Sequence, residues 1–482
     1  MMTQRATSSK HPKVPSSSSV AKNHDGVAAS IMVPRLLLIL SVFALTLIGL
    51  VMVYSASSIE SINETGGATS YIFKQIGFAV GGAILCALVA RFVSYRWWAG
   101  KLTWIVWGVA CALIILTAAI GTADLGAQRW VNIGPISLQP SEFAKIAFVL
   151  MAARILFDFR NGALTPKNLM VQTFVLIVIP ILFLYKTQSD LGTTAICLIG
   201  ILAVMWIGEV PLKTILIAIG VLCGLGIIAT FFVGYRSDRM VFINPWNDGE
   251  AGYGGGYQLI HSFYAFSEGG LFGVGLGNSR EKYLYLPEAE TDFIFAIIGE
   301  ELGLIGAVVV LVLFLAVLYA GIRIAKGAPD NFGAMVAGST TVMVVFQAFL
   351  NIGCVIGLLP TTGKPLPFIS SGGSSLLASF IMVGLILSVS YGAQTPNVYD
   401  RRRADLRVVR AAPPQSHTGS SGSSSRTKPR SPQASQPRAP RLDTNSSSRR
   451  GSSGASRGSS DRMRSSSGVS RSRSNNSRNT RR

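Results

Sequence analysis

Asp292 is the residue of this chain best placed to do chemistry. It stands where the polar stretch Leu284 to Thr291 meets the apolar run Phe293 to Ile298, so its carboxylate sits at the mouth of a segment suited to lipid. Ionisable groups at such depth are costly to hold and mark substrate paths or proton transfer. A plainer reading is that Thr291 or Asp292 caps a helix, accepting bonds from free backbone N–H groups where the dipole favours negative charge. The two readings are compatible. Glu300 and Glu301 follow in the same run. On a straight helix they would be rotated by about 80° and 180° from Asp292, so at most one shares its face. Bonding to neighbouring helices is their expected role.

A second charge also stands in an unfavourable place. Gln139-Pro140-Ser141-Glu142-Phe143-Ala144-Lys145 opens another apolar run, and Pro140 suits the first turn of a helix. Lys145 then falls about one turn inside lipid, at the positive pole of the helix dipole. Snorkelling to the interface would explain it. So would a partner carboxylate at the same depth, and Asp292 is at that depth. Asp190, just after Gln188-Ser189, is a further carboxylate that could serve only as a helix cap.

The elements that must position these groups are membrane helices. Of the 482 residues 49% are hydrophobic and 14% charged, and apolar runs long enough to span a bilayer recur. Ten spans are expected, near 34–54, 71–91, 102–121, 141–158, 169–186, 190–208, 213–233, 292–323, 333–358 and 374–392. The fold class is therefore an all-α integral membrane protein of about ten transmembrane helices, with a large extracytoplasmic loop between helices 7 and 8. Arg91, Arg96, Lys101, Arg154, Arg160, Lys167, Lys213, Arg323 and Lys326 lie in or beside the loops of one side, and the first loop of the other side, 55–70, has none. The positive-inside bias then puts both termini in the cytoplasm. The outer face receives the loops 122–140, 234–291 and 359–373.

Those outer loops hold most of the unusual residues. The long one contains Arg236, Arg239, Asn244-Pro245-Trp246 and the glycines from Gly252 to Gly256, and a structureless loop of that length is usually functional. The last one, Leu359 to Ser375, is dense in Pro, Gly and Ser. Such backbone at membrane depth is tolerated where it lines a cavity or is buried in protein.

Charge separates the tails from the core. The net charge of +20 comes from about +4 in residues 1–35 and about +16 in residues 392–482. Residues 1–33 are expected to be a disordered cytoplasmic tail without a cleavable leader, 34–392 the membrane domain, and 393–482 a disordered, basic, Ser/Arg-rich cytoplasmic tail. That tail should feel anionic membrane lipids. It lacks interleaved aromatics, so no nucleic acid is expected. The five cysteines all fall in apolar runs and read as buried hydrophobes, and His261 is the one histidine outside the tails, which excludes a His-rich metal site.

Several stretches together resemble the SEDS family (shape, elongation, division and sporulation proteins), in its FtsW/RodA group. They are Gly126-Ala127-Gln128-Arg129-Trp130, Gln139-Pro140-Ser141-Glu142 with Lys145, Asp190-Leu191-Gly192-Thr193, Asn244-Pro245-Trp246 and Gly256-Tyr257-Gln258. Leu286-Pro287-Glu288 with Thr291-Asp292-Phe293-Ile294-Phe295, and Gly372-Gly373-Ser374-Ser375, complete the set. The run Ala296 to Glu301 is closer to the cell-division branch than to the rod-elongation branch. Ser189, Glu290 and Ser371 depart from the residues common in the family.

The resemblance implies a peptidoglycan glycosyltransferase that polymerises lipid II, the undecaprenyl-pyrophosphate-linked disaccharide pentapeptide, at the outer face of a bacterial cytoplasmic membrane. It further implies septal synthesis during division, with a class B penicillin-binding transpeptidase and other division proteins as partners. The family's essential aspartate maps onto Asp292 and the lysine facing it onto Lys145. A carboxylate is the natural base for a sugar hydroxyl. Arg129, Arg236 and Arg239 are candidates for the pyrophosphate, Gln128, Trp130, Glu288 and Ser374 for other substrate contacts, and a divalent cation (Mg or Mn) for added charge. The competing classes are a lipid II flippase and a non-enzymatic division scaffold. A flippase should carry ionisable residues along the whole crossing, and a scaffold should tolerate loss of Asp292.

Overall fold

The computed structural model describes residues 29–65, 67, 69–124, 127–133, 136–232, 241–250 and 252–393. Both tails, with Arg236 and Arg239, lie outside the described residues. The chain begins with α1 (Ala29–Thr65), α2 (Ser70–Phe92), the single turn α3 (Tyr95–Trp98) and α4 (Lys101–Ile120). Three short strands follow, β1 (Thr122–Asp124), β2 (Ala127–Ile133) and β3 (Ile136–Leu138), then α5 (Pro140–Arg160). Next come α6 (Pro166–Thr173) and α7 (Ile179–Gln188), joined by the π-helical turn Phe174–Val178, then α8 (Leu191–Ile207) and α9 (Leu212–Phe232). The chain closes with α10 (Tyr257–Gly269), α11 (Ile294–Glu301), α12 (Gly303–Lys326), α13 (Asn331–Val355) and α14 (Gly373–Gly392).

Each expected span overlaps helical segments, the fifth and the eighth across more than one. Length and composition alone qualify seven segments to cross a membrane, namely 31–62, 70–92, 101–119, 166–188, 303–326, 331–355 and 373–392. The rod from α6 to α7 survives Pro180, which has no N–H to give, because the Trp107 indole Nε1 donates to the freed Leu176 carbonyl at 2.8 Å. At the centre α13 is buried along nearly its whole length and packs on α5, α8, α12 and α14, while α14 packs chiefly on α2. Ser339, Thr340 and Thr341 of α13 donate back to the carbonyls of Met335, Val336 and Ala337, so the hydroxyls are satisfied inside their own helix.

The helical class holds, and three details refine it. The strands β1, β2 and β3 form a small antiparallel sheet of order β1-β2-β3 in the connection between α4 and α5. The stretch expected as one long loop holds a helix of its own, α10, which packs against α11. Span eight is not one helix: it breaks between α11 and α12, where Gly303 takes φ +67°. A side chain there would meet the backbone of Gly273 and Leu271, because the segment 270–275 is inserted into the break. Val274 and Gly275 donate to the Glu300 and Glu301 carbonyls, and Leu304 and Ile305 donate to the Gly270 and Leu271 carbonyls. These four bonds pair again groups that the break would otherwise leave free, as backbone at membrane depth requires.

Candidate functional site

Asp292 lies in the loop before α11, two residues ahead of that helix. The cap of α11 is Phe293, with no side-chain capping bond, so Asp292 is not spent on capping a helix. Its position is set through the backbone instead. Asn351 of α13 donates its Nδ2 to the Asp292 carbonyl at 2.7 Å and to the Lys364 carbonyl at 2.8 Å, tying the loop before α11 to the loop before α14. Gly363, at φ +64°, faces the carboxylate, and an added Cβ would stand 3.3 Å from Oδ2. Among the described residues none hydrogen-bonds to the Asp292 carboxylate. Burial first, and then the Glu288 carboxylate, push its carboxyl up to about 7, against the pull of Lys364 and Arg129.

Beneath Asp292 runs a row of buried charges of alternating sign. Lys145 Nζ donates to Glu142 Oε2 at 2.7 Å and to Gln347 Oε1 at 2.6 Å. The other Glu142 oxygen stands 3.7 Å from Lys364 Nζ, which donates to Asp190 Oδ2 at 2.6 Å. Asp190 caps α8 by accepting from the Thr193 N–H at 2.9 Å. Lys145 and Glu142 are wholly buried, and Lys364 and Asp190 nearly so. Two cations and two anions cancel, which is what allows four charges to persist out of water.

This corrects the pairing expected from the sequence. Lys145 is not a snorkelling lysine, but its ammonium is engaged by Glu142 and Gln347 rather than by Asp292. The lysine whose charge acts on Asp292 is Lys364. Of the other expected site residues, Arg129 is placed on β2 with Nε donating to the Gln188 carbonyl at 3.0 Å and an Nη donating to the Ser189 carbonyl at 3.3 Å. Ser189, the C-cap of α7, takes φ 47°, in the left-handed region. Trp130 is half-buried beside Arg129, and Gln128 is in β2 with its side chain outside the described residues. Glu288 is exposed and accepts from the Thr291 hydroxyl at 2.6 Å. The Ser374 hydroxyl accepts from the Gln139 N–H at 3.0 Å, so it serves to join α14 to the start of α5.

Sequence reasoning passed over Glu142, Gln347, Asn351 and Lys364. Glu142 and Lys145 are three residues apart, the spacing of side chains that meet on one helix face. Gln347 and Asn351 are four apart in a helix otherwise rich in apolar residues, and Lys364 is the lone cation of its loop. Glu300 and Glu301 behave as expected for structural carboxylates. Glu301 accepts from Ser55 of α1 at 2.6 Å, and Glu300 accepts from the Ser279 hydroxyl and the Arg280 N–H, both at 2.5 Å.

The glycines from Gly252 to Gly256 also acquire a reason. The half-buried Asp248 carboxylate accepts from the N–H groups of Glu250, Gly252, Gly254 and Gly256 at 2.8–3.1 Å. The bond from Gly252 leads these in holding the carboxyl down at about 2.

The family model for cell cycle proteins of the FtsW/RodA/SpoVE type matches residues 35–395. The chain belongs to that family. The stage V sporulation protein E of Bacillus subtilis (strain 168) is 37% identical over 374 residues, covering 74% of this chain and 97% of the relative. A protein of Trichlorobacter lovleyi (strain ATCC BAA-1151 / DSM 17278 / SZ), named probable peptidoglycan glycosyltransferase FtsW, is 38% identical over 368 residues, covering 74% and 93%. Among solved structures, one reported as structural coordination of polymerization and crosslinking by a peptidoglycan synthase complex contains a chain of the same fold. It superposes with a TM-score of 0.59 at 24% identity, covering 74% of this chain and 98% of that one. The chain is thus a multi-pass membrane protein of this family, and the buried charges of its site lie between helices and loops that all fall inside the matched region.

Proposed function

We propose that this chain is a peptidoglycan glycosyltransferase that polymerises lipid II into glycan strands at the outer face of a bacterial cytoplasmic membrane, both termini being cytoplasmic. The observation that carries the reading is the Asp292 carboxylate. It is half-buried, free of side-chain bonds among the described residues, poised at about 7 beside a charge-balanced network, and tied through its backbone carbonyl to Asn351. A base with that poise is matched to a neutral medium.

In the reaction, Asp292 accepts the proton of the acceptor 4-hydroxyl as its oxygen attacks the anomeric carbon of the donor sugar. The bond from that carbon to the lipid pyrophosphate breaks, and the electron pair leaves with the pyrophosphate. Arg129, whose charge acts on Asp292, is a candidate for the departing phosphates, with Arg236 and Arg239 on the long outer loop as further candidates. Gln128, Trp130 and Glu288 would line the sugars. Lys145, with Glu142 and Lys364, acts as a positioning residue. Among the described residues no three His, Cys, Asp or Glu side chains cluster as metal ligands. Were a Mg or Mn ion bound with the substrate, Asp292 and Glu288 are the carboxylates that would hold it, and it would supply positive charge to the leaving group.

The FtsW name of a relative 38% identical supports a role in the septum, and the synthase complex of the solved neighbour supports a class B penicillin-binding transpeptidase as partner. The buried charges of the site gather at one end of the helices rather than along the crossing, which favours transfer over flipping. The test is purified protein in lipid vesicles with lipid II, with and without the transpeptidase, assayed for glycan polymer. Polymer from the parent protein and none from Asp292→Asn would establish the reading. No polymer under either condition would return the chain to a flippase or scaffold.

A further inference from the structure

The end of the molecule opposite Asp292 carries a cavity that the reaction does not use. It has a volume of about 490 Å³ and lies between α1, α2 and α14. Ile39, Val42 and Leu47 of α1, Ala83 of α2, and Val383 and Leu387 of α14 form much of its wall. The orientation is fixed by contacts at the far ends of these helices. Gln75 near the start of α2 donates to the Ser370 carbonyl in the outer loop, so Arg91 near the end of α2 stands at the other membrane face.

Arg91 lines the cavity mouth together with Tyr391. Its exposed guanidinium has no ion pair or hydrogen bond among the described residues. Arg35 stands at the same rim, with its Cζ 4.1 Å from the centre of the Tyr391 ring and its guanidinium donating to the Ser390 carbonyl at 2.9 Å. Among the described residues no acidic one lines the cavity. The carboxylate at that membrane face on the neighbouring start of α13, Asp330, is spent on the Tyr95 hydroxyl and the Gly333 N–H. The mouth is therefore cationic while the interior is apolar.

Depth identifies the occupant. The cavity extends along α2 from Arg91 back to Ala79, a run of roughly 18 Å at the rise of an α-helix. Half the hydrocarbon thickness of a bilayer is about 15 Å. A slot that begins at the headgroup level and ends near the midplane has the length of one acyl chain of one leaflet. An arginine fork at its mouth matches the two free oxygens of a phosphodiester, and basic pockets between helices on this side select anionic headgroups.

We propose that this cavity is a binding site for a single anionic phospholipid, with one acyl chain in the slot between α1, α2 and α14 and the headgroup phosphate on Arg91. The site couples the ends of three helices whose other ends frame the catalytic loops, but lipid binding there requires no glycosyl transfer. It is read out independently of enzymatic activity.

The test is native mass spectrometry of the detergent-purified, full-length protein, titrated with phosphatidylglycerol or phosphatidylcholine of matched chains. The parent protein should retain one phosphatidylglycerol at least five-fold more strongly than phosphatidylcholine. Arg91→Gln should erase that preference, and Ala83→Phe should remove the retained lipid. Arg91 is exposed at a helix end, so its substitution leaves the fold intact, and gel filtration with a melting curve verifies this for both variants. Equal retention of the two lipids by the parent, or an unchanged preference in Arg91→Gln, would overturn the proposal. So would a retained lipid in a folded Ala83→Phe variant. If Ala83→Phe does not fold, Arg91→Gln alone decides the matter.

Discussion

Lys145 and Glu142, one turn apart on α5, form a wholly buried ion pair of 2.7 Å. The lysine thus meets the cost of its burial on its own helix, and Gln347 of α13 supplies a second acceptor. Breaking a buried pair by removing one partner costs about 3–5 kcal/mol, because a lone charge is left behind. Lys145→Met and Glu142→Gln should each destabilise the protein on that scale, and the double variant should be much less damaged than the sum. Denaturation of the four proteins of this cycle measures the coupling. Additive losses would show that the two side chains do not act as one unit.

Asp292 should behave as a base and not as a strut. Asp292→Asn should fold, insert and lose about 10²-fold or more of its polymerising rate, the contribution usual for a positioned acid or base. In the parent protein the active form is the carboxylate. Since burial lifts the carboxyl to about 7, the rate should rise with pH and reach half its plateau near that value. The same shift has a stability consequence of opposite sense. The folded state holds the proton more tightly than the unfolded chain, so stability falls as pH rises from about 4 to about 7. Asp292→Asn should flatten that slope. A pH–rate profile and melting curves at several pH values test both statements. A rate that is flat from pH 5 to 8 would exclude Asp292 as the base.

The placement of Asp292 at a lipid boundary could be read from composition alone, as could Pro140 at the start of α5 and Asp190 as a helix cap. These depend on neighbours within a few residues. The partner of Lys145 was also within reach, since Glu142 lies at the spacing that brings side chains together. Lys364 was not. Its bond to Asp190 joins residues 174 apart, and only the docking of the loop between α13 and α14 against the start of α8 brings them into contact. The break in span eight was hidden for a related reason. Gly303 looks like an ordinary glycine of a membrane helix until the segment 270–275 is seen inserted at that point.

Gly363 offers a sharp probe of the site. Its φ of +64° belongs to the left-handed region, and an alanine Cβ would approach Asp292 Oδ2 to 3.3 Å. Gly363→Ala should cost about 1–2 kcal/mol from the backbone conformation. It should also lower the polymerising rate per folded molecule, because the carboxylate must shift. A variant less stable but fully active at saturating lipid II would show that the carboxylate tolerates displacement.

Asp248 should lock the turn that leads into α10. Asp248→Ala removes the acceptor of four backbone N–H groups, so amide exchange at Gly252, Gly254 and Gly256 should accelerate. The depressed carboxyl means that the locking is complete above about pH 4 and is lost as pH falls toward about 2. Hydrogen exchange across that range measures it, and unchanged protection at these glycines in the variant would count against the lock.

Lys364 should set the poise of Asp292. Its ammonium stands between Asp190 and Glu142, and its charge draws the Asp292 carboxyl downward, opposing burial and Glu288. Removing that charge leaves Asp190 and Glu142 in excess beside the site. In Lys364→Gln the half-maximal rate should therefore move above the value of about 7 expected for the parent, so that activity lost at pH 7 returns in part at pH 9. Lys364→Arg keeps the charge and should keep the midpoint, even if its larger head lowers the plateau. A purely structural lysine predicts another pattern: a uniform loss at every pH, with the midpoint unmoved. Rate profiles of the three proteins, normalised to folded protein, separate the cases, and an unmoved midpoint in Lys364→Gln would leave Lys364 as a tie between loops.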